Sequence, residues 1–279
     1  MTMIYYDSHV HTAFSTDSDA PMEQMVRRGI QNGLRGITFT DHMDYHFPSQ
    51  YDWNTEDARP PFTFDMDSYV GQIETFRETY KNDIDIYCGV EIGLKEDAVD
   101  DNVKLSHDER LDYCIGSIHL VDDMDPYDAK FWEAFDEKEA FTRYFEATLE
   151  NLKTDDIHLD TLGHLDYIVR YSPSGYRIYS YRMFAEVLDE ILRRIIDRGI
   201  SLEVNTSGYK NGSPMPNPHR DIIARYKELG GELITFGSDA HGPELLCGRF
   251  KDAQALVRNA GFAYYTTFVN HKPAFHSLT

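Results

Sequence analysis

His9 and His11, separated by one residue in DSHVH, are the first place where this chain could do chemistry. Side chains alternate along an extended strand, so both imidazoles point to one side and can share a cation. Further on come His42 in FTDH, Glu91 in GVE, His119 in GSIH, His164 in GHLD, and Asp239 with His241 in GSDAH. Taken singly, each histidine reads as an ordinary hydrogen-bonding residue at a strand end. A carboxylate such as Glu91, however, is expensive to bury unless a cation compensates it. Imidazole and carboxylate without thiolate suit Zn, Mn or Fe(II) rather than Ca or Mg. So many groups exceed the needs of one ion, and a cluster of two or three divalent cations is expected.

These positions gain meaning from the elements that must carry them. Short runs rich in Ile, Val, Tyr and Phe alternate with stretches of helical period, with strands expected to begin at Ile4, Ile37, Ile84, Tyr113, Thr161, Ser201 and Leu233. Helices are expected over Pro21–Asn32, Asp67–Lys81, Glu137–Leu152, Tyr181–Arg198 and Pro218–Leu229, several stopped by glycine at Gly33, Gly199 and Gly230. That alternation is the pattern of repeated βα units on a parallel sheet. No Pro/Ser-rich linker interrupts it, so residues 1–279 read as one α/β domain, a distorted seven-stranded (β/α) TIM-like barrel, with an open doubly wound sheet as the alternative. Every candidate ligand falls at the carboxyl end of its strand, where barrel enzymes build their sites. The groups meet only if the barrel closes. Residues 43–66 follow neither period and carry Tyr45, Phe47, Tyr51, Trp53, Phe62 and Phe64 among prolines and acids, as an ordered mouth loop or a lid would. The other histidines, His46, His107, His158, His219, His271 and His276, lie outside the pattern and receive no role.

Composition narrows the partners. Asp and Glu number 48 against 27 Lys and Arg, a formal charge of -21 in 279 residues. Such a surface repels a phosphate backbone, which disfavours long nucleic acid. Three cysteines, Cys88, Cys114 and Cys247, are odd in number and far apart, so neither a disulfide framework nor a cysteine zinc knot is expected and a reducing cytoplasm fits. The first residues lack a basic, apolar signal pattern, and no apolar run reaches the roughly 18 residues of a membrane span. A membrane partner is not expected; the oligomeric state is left open.

The motif set HVHTAFSTD, TDH, GVE, GSIH, GHLD and GSDAH, in that order from Asp7 to His241, resembles the PHP (polymerase and histidinol phosphatase) phosphoesterases, most closely the monofunctional histidinol-phosphatases. The resemblance implies a distorted seven-stranded barrel with three metal ions at its mouth. One ion would take His9, His11, Glu91 and Asp239; a second would share Glu91 and add His119 and His164; a third would be held by Asp17, His42 and His241. At the position of Asp17 many such phosphatases have histidine, and in STDSD an acid could simply cap a helix. Carboxylate there would shift the third site towards Mn or Fe over Zn.

Clustered cations lower the pKa of a bound water and neutralise an attacked phosphoryl group. The expected reaction is therefore hydrolysis of a small phosphate monoester by in-line attack of a metal-bridging hydroxide, with L-histidinol phosphate the substrate that the resemblance implies. Asp239 and His241 are the expected catalytic residues, although the proton donor to the leaving alkoxide stays unassigned between Asp239 and a water. Ser238 with Asp239 and His241 does not make a nucleophilic triad, since residues so close on one strand end do not reach triad geometry. A dianionic ester also needs cationic side chains: Arg170 after GHLD and Lys210 in NTSGYKNG are the candidates, with Arg177 in reserve and Asn205 orienting the loop. Two other readings are a PHP phosphoesterase for another small phosphate, a nucleotide or phosphotyrosine, and a non-catalytic metal-binding module, which would be expected to have lost ligands.

Overall fold

The computed structural model describes residues 4–48 and 61–278. Seven parallel strands run in the order β1 (Tyr6–Val10), β2 (Gly36–Phe39), β4 (Asp85–Gly93), β5 (Tyr113–Ser117), β6 (Thr161–Leu162), β7 (Ser201–Asn205) and β8 (Ile234–Gly237), with the short β3 (His42–Met43) continuing the line of β2 beside β4. Hydrogen bonds from Asp239 N to His9 O (2.9 Å) and from His11 N to Ala240 O (3.0 Å) bring the end of β8 to the end of β1. The sheet thereby closes as a barrel at its carboxyl end, and the open doubly wound alternative is excluded.

The helices α1 (Met22–Asn32), α2 (Met66–Tyr80), α3 (Val99–Ser106), α4 (Ala129–Ala134), α5 (Glu137–Asn151), α6 (Ala185–Asp197), α7 (Arg220–Glu228) and α8 (Phe250–Asn259) surround it. In α6 the apolar spacing Leu188, Ile191, Leu192, Ile195 makes one stripe, and all four side chains are buried. Asp65 starts α2 by accepting from Ser68 N (2.8 Å), as an N-cap should. Among the described residues no helix is long and apolar enough to cross a membrane.

The chain ends in an antiparallel hairpin, β9 (Tyr264–Val269) and β10 (Lys272–Ser277), which sequence reading missed. Its two-residue turn, Asn270–His271, has positive φ at both positions (48° and 60°), the geometry usually announced by Asn-Gly. Histidine in place of glycine hides that signal. The hairpin covers the amino end of the barrel: Phe268 stacks on Tyr113 with centroids 5.5 Å apart, and inside, Thr161 and Thr235 share a 3.1 Å hydrogen bond. Of residues 43–66, the part from 49 to 60, including Tyr51 and Trp53, lies outside the described residues. The flanks pack at the barrel mouth, where Phe47 stacks on Phe62 (4.3 Å) and Asp44 N donates to Phe62 O (2.7 Å).

Candidate metal centre

Parallel strands deliver their carboxyl ends to one rim, and side-chain alternation then decides which residues turn inwards. Glu91 of β4 stands at the centre, fully buried. Its Oε2 lies 3.2 Å from His9 Nε2, 3.4 Å from His11 Nε2 and 3.1 Å from His42 Nδ1. Its Oε1 meets His164 Nε2 at 2.9 Å and His119 Nε2 at 3.2 Å, and accepts from Ser117 Oγ at 2.6 Å. Asp239 Oδ1 is 3.4 Å from His11 Nε2 and 3.9 Å from His9 Nε2. Asp239 has a positive φ of 52°, a conformation that L side chains adopt only when the surroundings hold it. Asp17 Oδ2 lies 3.2 Å from His241 Nε2 and 3.7 Å from His42 Nε2, so it faces imidazoles; α1 begins at Met22, after Pro21, with no side-chain cap.

All nine residues singled out as ligands are brought together. Three overlapping groups have donor atoms close enough to hold an ion: His9, His11 and Asp239; His42, Glu91 and His119; and His11, His42 and His241. These groups depart from the implied sets: Glu91 is missing from the first, His42 stands in place of His164 in the second, and His11 in place of Asp17 in the third, while His42 turns Nδ1 to Glu91 and Nε2 to Asp17.

The imidazoles are aimed by partners that sequence reasoning overlooked. Glu203 Oε1 lies 2.6 Å from His9 Nδ1, and Asp44 Oδ1 lies 2.6 Å from His119 Nδ1. A carboxylate only accepts, so each Nδ1 carries the proton and each Nε2 is left to a cation. Ser15 Oγ is 2.9 Å from His11 Nδ1 and donates to Asp41 Oδ1 at 2.7 Å. The available signals were faint: Glu203 shares the inward face of its strand with Asn205, and Asp41 adjoins His42.

Do these residues suit metal ions? Glu91 Oε2 and His42 Nδ1 are buried without a properly formed hydrogen bond although they are 3.1 Å apart. Lone pairs of imidazole and carboxylate pointing at one another repel unless a proton or cation lies between them. In the metal-free chain protons do that work. Against burial, Glu203 and Glu91 keep His9 well above the ordinary histidine range. Against burial, Asp44 and Glu91 push His119 up to about 10. Burial, helped by His241 and His42, drives His11 well below. Glu91 and Asp239, despite their burial, are held well below the usual carboxylate range by the imidazoles around them. The protons held between these ionised carboxylates and the raised imidazoles of His9, His42 and His119 are what a cation cluster would replace.

A cavity of about 750 Å³ opens over the cluster, bordered by Asp17, His42, His119, His164, Arg170, Lys210, Asp239 and His241 among others. Arg170 has its guanidinium carbon 4.7 Å from the Tyr167 ring centroid and 4.9 Å from that of Tyr171, with Nη1 3.8 Å from Asp239 Oδ2 and donating to Ser207 Oγ. Its Nε is buried without a partner. Lys210 borders the cavity. Arg177 does not: it donates to Ser174 O (3.1 Å) and Pro173 O (3.2 Å) within its own turn, which removes its reason for being a substrate contact. Asn205 accepts from Ser207 N (2.9 Å), orienting that loop as expected. Asp125, Tyr127, Tyr167 and Tyr171 complete walls that the sequence did not reveal.

Comparison with known proteins extends this picture. Residues 7–207 match the family described as the PHP domain. A probable histidinol-phosphatase of Clostridium acetobutylicum is 33% identical over 254 residues, 91% of this chain and 93% of that protein. A histidinol-phosphatase of Lactococcus lactis is 28% identical, with 95% of each chain covered. The crystal structure of histidinol phosphate phosphatase from Lactococcus lactis, complexed with Zn, L-histidinol and phosphate, superposes with a TM-score of 0.85 at 28% identity, covering 98% of this chain and 100% of that one. A putative histidinol phosphatase from Listeria monocytogenes shares the fold, with a TM-score of 0.77 at 19% identity.

Proposed function

The chain belongs to the PHP domain family, and from that premise we propose that it is a phosphatase hydrolysing L-histidinol phosphate to L-histidinol and inorganic phosphate in cytoplasmic histidine biosynthesis. The observation that carries the reading is the convergence of five imidazoles on the two oxygens of buried Glu91, beneath a cavity large enough for a small phosphate ester. The relatives named histidinol-phosphatase support the choice of substrate.

In this reading His9, His11, Asp17, His42, Glu91, His119, His164, Asp239 and His241 hold two to three divalent ions of Zn, Mn or Fe. Bound ions supply a water of lowered pKa and neutralise charge on the phosphoryl oxygens. The remaining tasks fall to the protein. Glu203 and Asp44 keep protons on Nδ1 of His9 and His119, so that each Nε2 faces inwards. Arg170 gives the phosphate a cationic group: its Nε has no hydrogen-bond partner among the described residues, and two tyrosine rings fix its plane. Lys210 adds a point charge from the neighbouring loop, the one that follows β7. Asp239 and His241, the residues that would serve the reacting atoms, border the cavity, with His241 Nδ1 donating to Asp239 O at 3.1 Å. Asp125 and the tyrosine faces of the wall match the cationic amine and imidazole of histidinol.

Competition among small monoesters tests the substrate. Histidinol phosphate is expected to exceed the others in kcat/KM by about 100-fold or more, roughly 2.7 kcal/mol of transition-state binding, and stringent chelation is expected to abolish turnover. A flat substrate profile would remove the biosynthetic role, and activity that survives chelation would remove the metal chemistry.

A further inference from the structure

A second set of metal-binding side chains lies at the other end of the barrel. Cys114 on β5, Asp160 just ahead of β6 and His271 at the turn of the terminal hairpin offer a sulfur, an oxygen and a nitrogen all within 4.8 Å of one another. His158 stands beside them, its Nε2 3.4 Å from Asp160 Oδ1 and its ring centroid 4.5 Å from that of His271; it lies outside the trio and has to swing inwards to become the fourth donor. We propose that Cys114, His158, Asp160 and His271 form a structural zinc-type site that clamps the terminal hairpin to the base of the barrel, separate from the chemistry at the mouth.

The donor set favours this assignment. One sulfur, one carboxylate oxygen and two imidazoles fill a tetrahedral shell with no position left for a substrate, the composition of a closed structural site for a borderline ion such as Zn. With bonds of about 2.0–2.1 Å, nitrogen and oxygen ligands of such an ion stand about 3.3–3.4 Å apart. Taking Asp160 Oδ2 as the ligand oxygen, the 2.8 Å to His271 Nδ1 has to widen by about half an ångström, and His158, whose Nε2 faces the other oxygen Oδ1 at 3.4 Å, has to turn towards the ion. Asp160 is fixed: its N donates to Cys114 O (3.0 Å), its O accepts from Ser201 N (2.9 Å), and Oδ2 accepts from Cys114 N (2.8 Å). His158 and His271 line the open side, with side chains 43% and 23% exposed, so an ion can enter from solvent and meet the buried thiol last. Burial and Asp160 push the Cys114 thiol well above its ordinary pKa, so ligation requires the cation to displace its proton to water.

The alternative is a plain ion pair between His271 and Asp160. It accounts for neither Cys114 nor His158, and it does not explain the backbone. His271 occupies a left-handed conformation (φ 60°) that favours glycine. The turn is already docked through its main chain, by His271 N to Asp112 O (2.9 Å) and Asn270 N to Asp112 Oδ1 (3.1 Å). The imidazole is therefore not needed to place the hairpin, yet it stands where its backbone is disfavoured.

Cobalt-substituted protein provides the test, because the nine residues at the mouth include no sulfur ligand. We expect a thiolate-to-cobalt charge-transfer band in the near ultraviolet, lost in Cys114→Ser and in His271→Gly. The glycine variant suits the turn conformation, so folding is not in question there. Its zinc content should fall by one ion per chain, its thermal midpoint should no longer rise with that ion, and its turnover of phosphate ester should equal the wild-type rate. Absence of the band, a band that persists in both variants, or equal metal content in wild type and His271→Gly would each overturn the assignment.

Discussion

Glu91 shows how a residue that is costly in isolation becomes tolerable through its neighbours. Among the described residues no Lys or Arg pairs with it: its two oxygens are met by imidazoles and by Ser117, and each imidazole is charged only while it keeps its proton. The orientation of those rings depends in turn on carboxylates one step further out. Glu203 accepts His9 through Oε1, and His164 N (2.7 Å) and Asn205 Nδ2 (3.2 Å) through Oε2. In Glu203→Gln an amide NH2 must face one of these donors, and the negative charge behind His9 is gone. Metal affinity is expected to fall about 10- to 100-fold, as measured by competition with a chelator, with turnover largely recovered at saturating metal. Unchanged affinity would mean that Glu203 only packs.

Strands matter here less for their length than for how closely they pass. β6 has two residues in its ladder, yet it places His164 as firmly as longer strands place their ligands, because Glu203 of β7 binds the His164 main chain. At the end of β8, Gly237 allows β1 and β7 to approach: a Cβ there would stand 2.3 Å from Glu203 Oε1 and 2.4 Å from His9 Cβ. Gly237→Ala is therefore expected to cost about 1–3 kcal/mol by overpacking. It should also lower bound metal, because the atoms that must move belong to the His9–Glu203 pair. Denaturant melts with and without metal check this, and a variant as stable and as well loaded as wild type would refute the account.

For the molecule as a whole, protons and ions compete for the same cage. In the metal-free fold His119 titrates at about 10 against an ordinary 6.5, burial being overcome by Asp44 and Glu91. A pKa raised by folding contributes stability that is complete below the unfolded value and is lost as pH climbs through the folded one. The metal-free protein should therefore lose this contribution between about pH 6.5 and 10. Ion binding runs the opposite way, since each displaced proton makes the apparent affinity rise about tenfold per pH unit. Thermal midpoints of loaded and metal-free protein should separate as pH increases over this window. A gap that is constant with pH would show that no proton is exchanged.

The seven strands and eight of the nine residues at the barrel mouth were legible in residue order, because strand alternation and strand-end position are local properties: DSHVH, GVE and GSDAH announce inward or rim positions without reference to any partner, whereas Asp17 in STDSD entered only through the family resemblance. Contacts between distant segments were not legible. Glu203 against His9, Asp44 against His119, and His271 against Asp160 each join parts of the chain that no local period relates. Arg170 and Arg177 look alike as loop cations, and only the course of the turn sends one into the cavity and folds the other onto its own carbonyls. The linear pattern thus determined which chemical groups the protein owns and on which rim they gather. Closure of the barrel decided which groups touch, and with that which protons are held and where a cation is required, since electrostatic coupling at 3 Å depends on distance in space and not on separation along the chain.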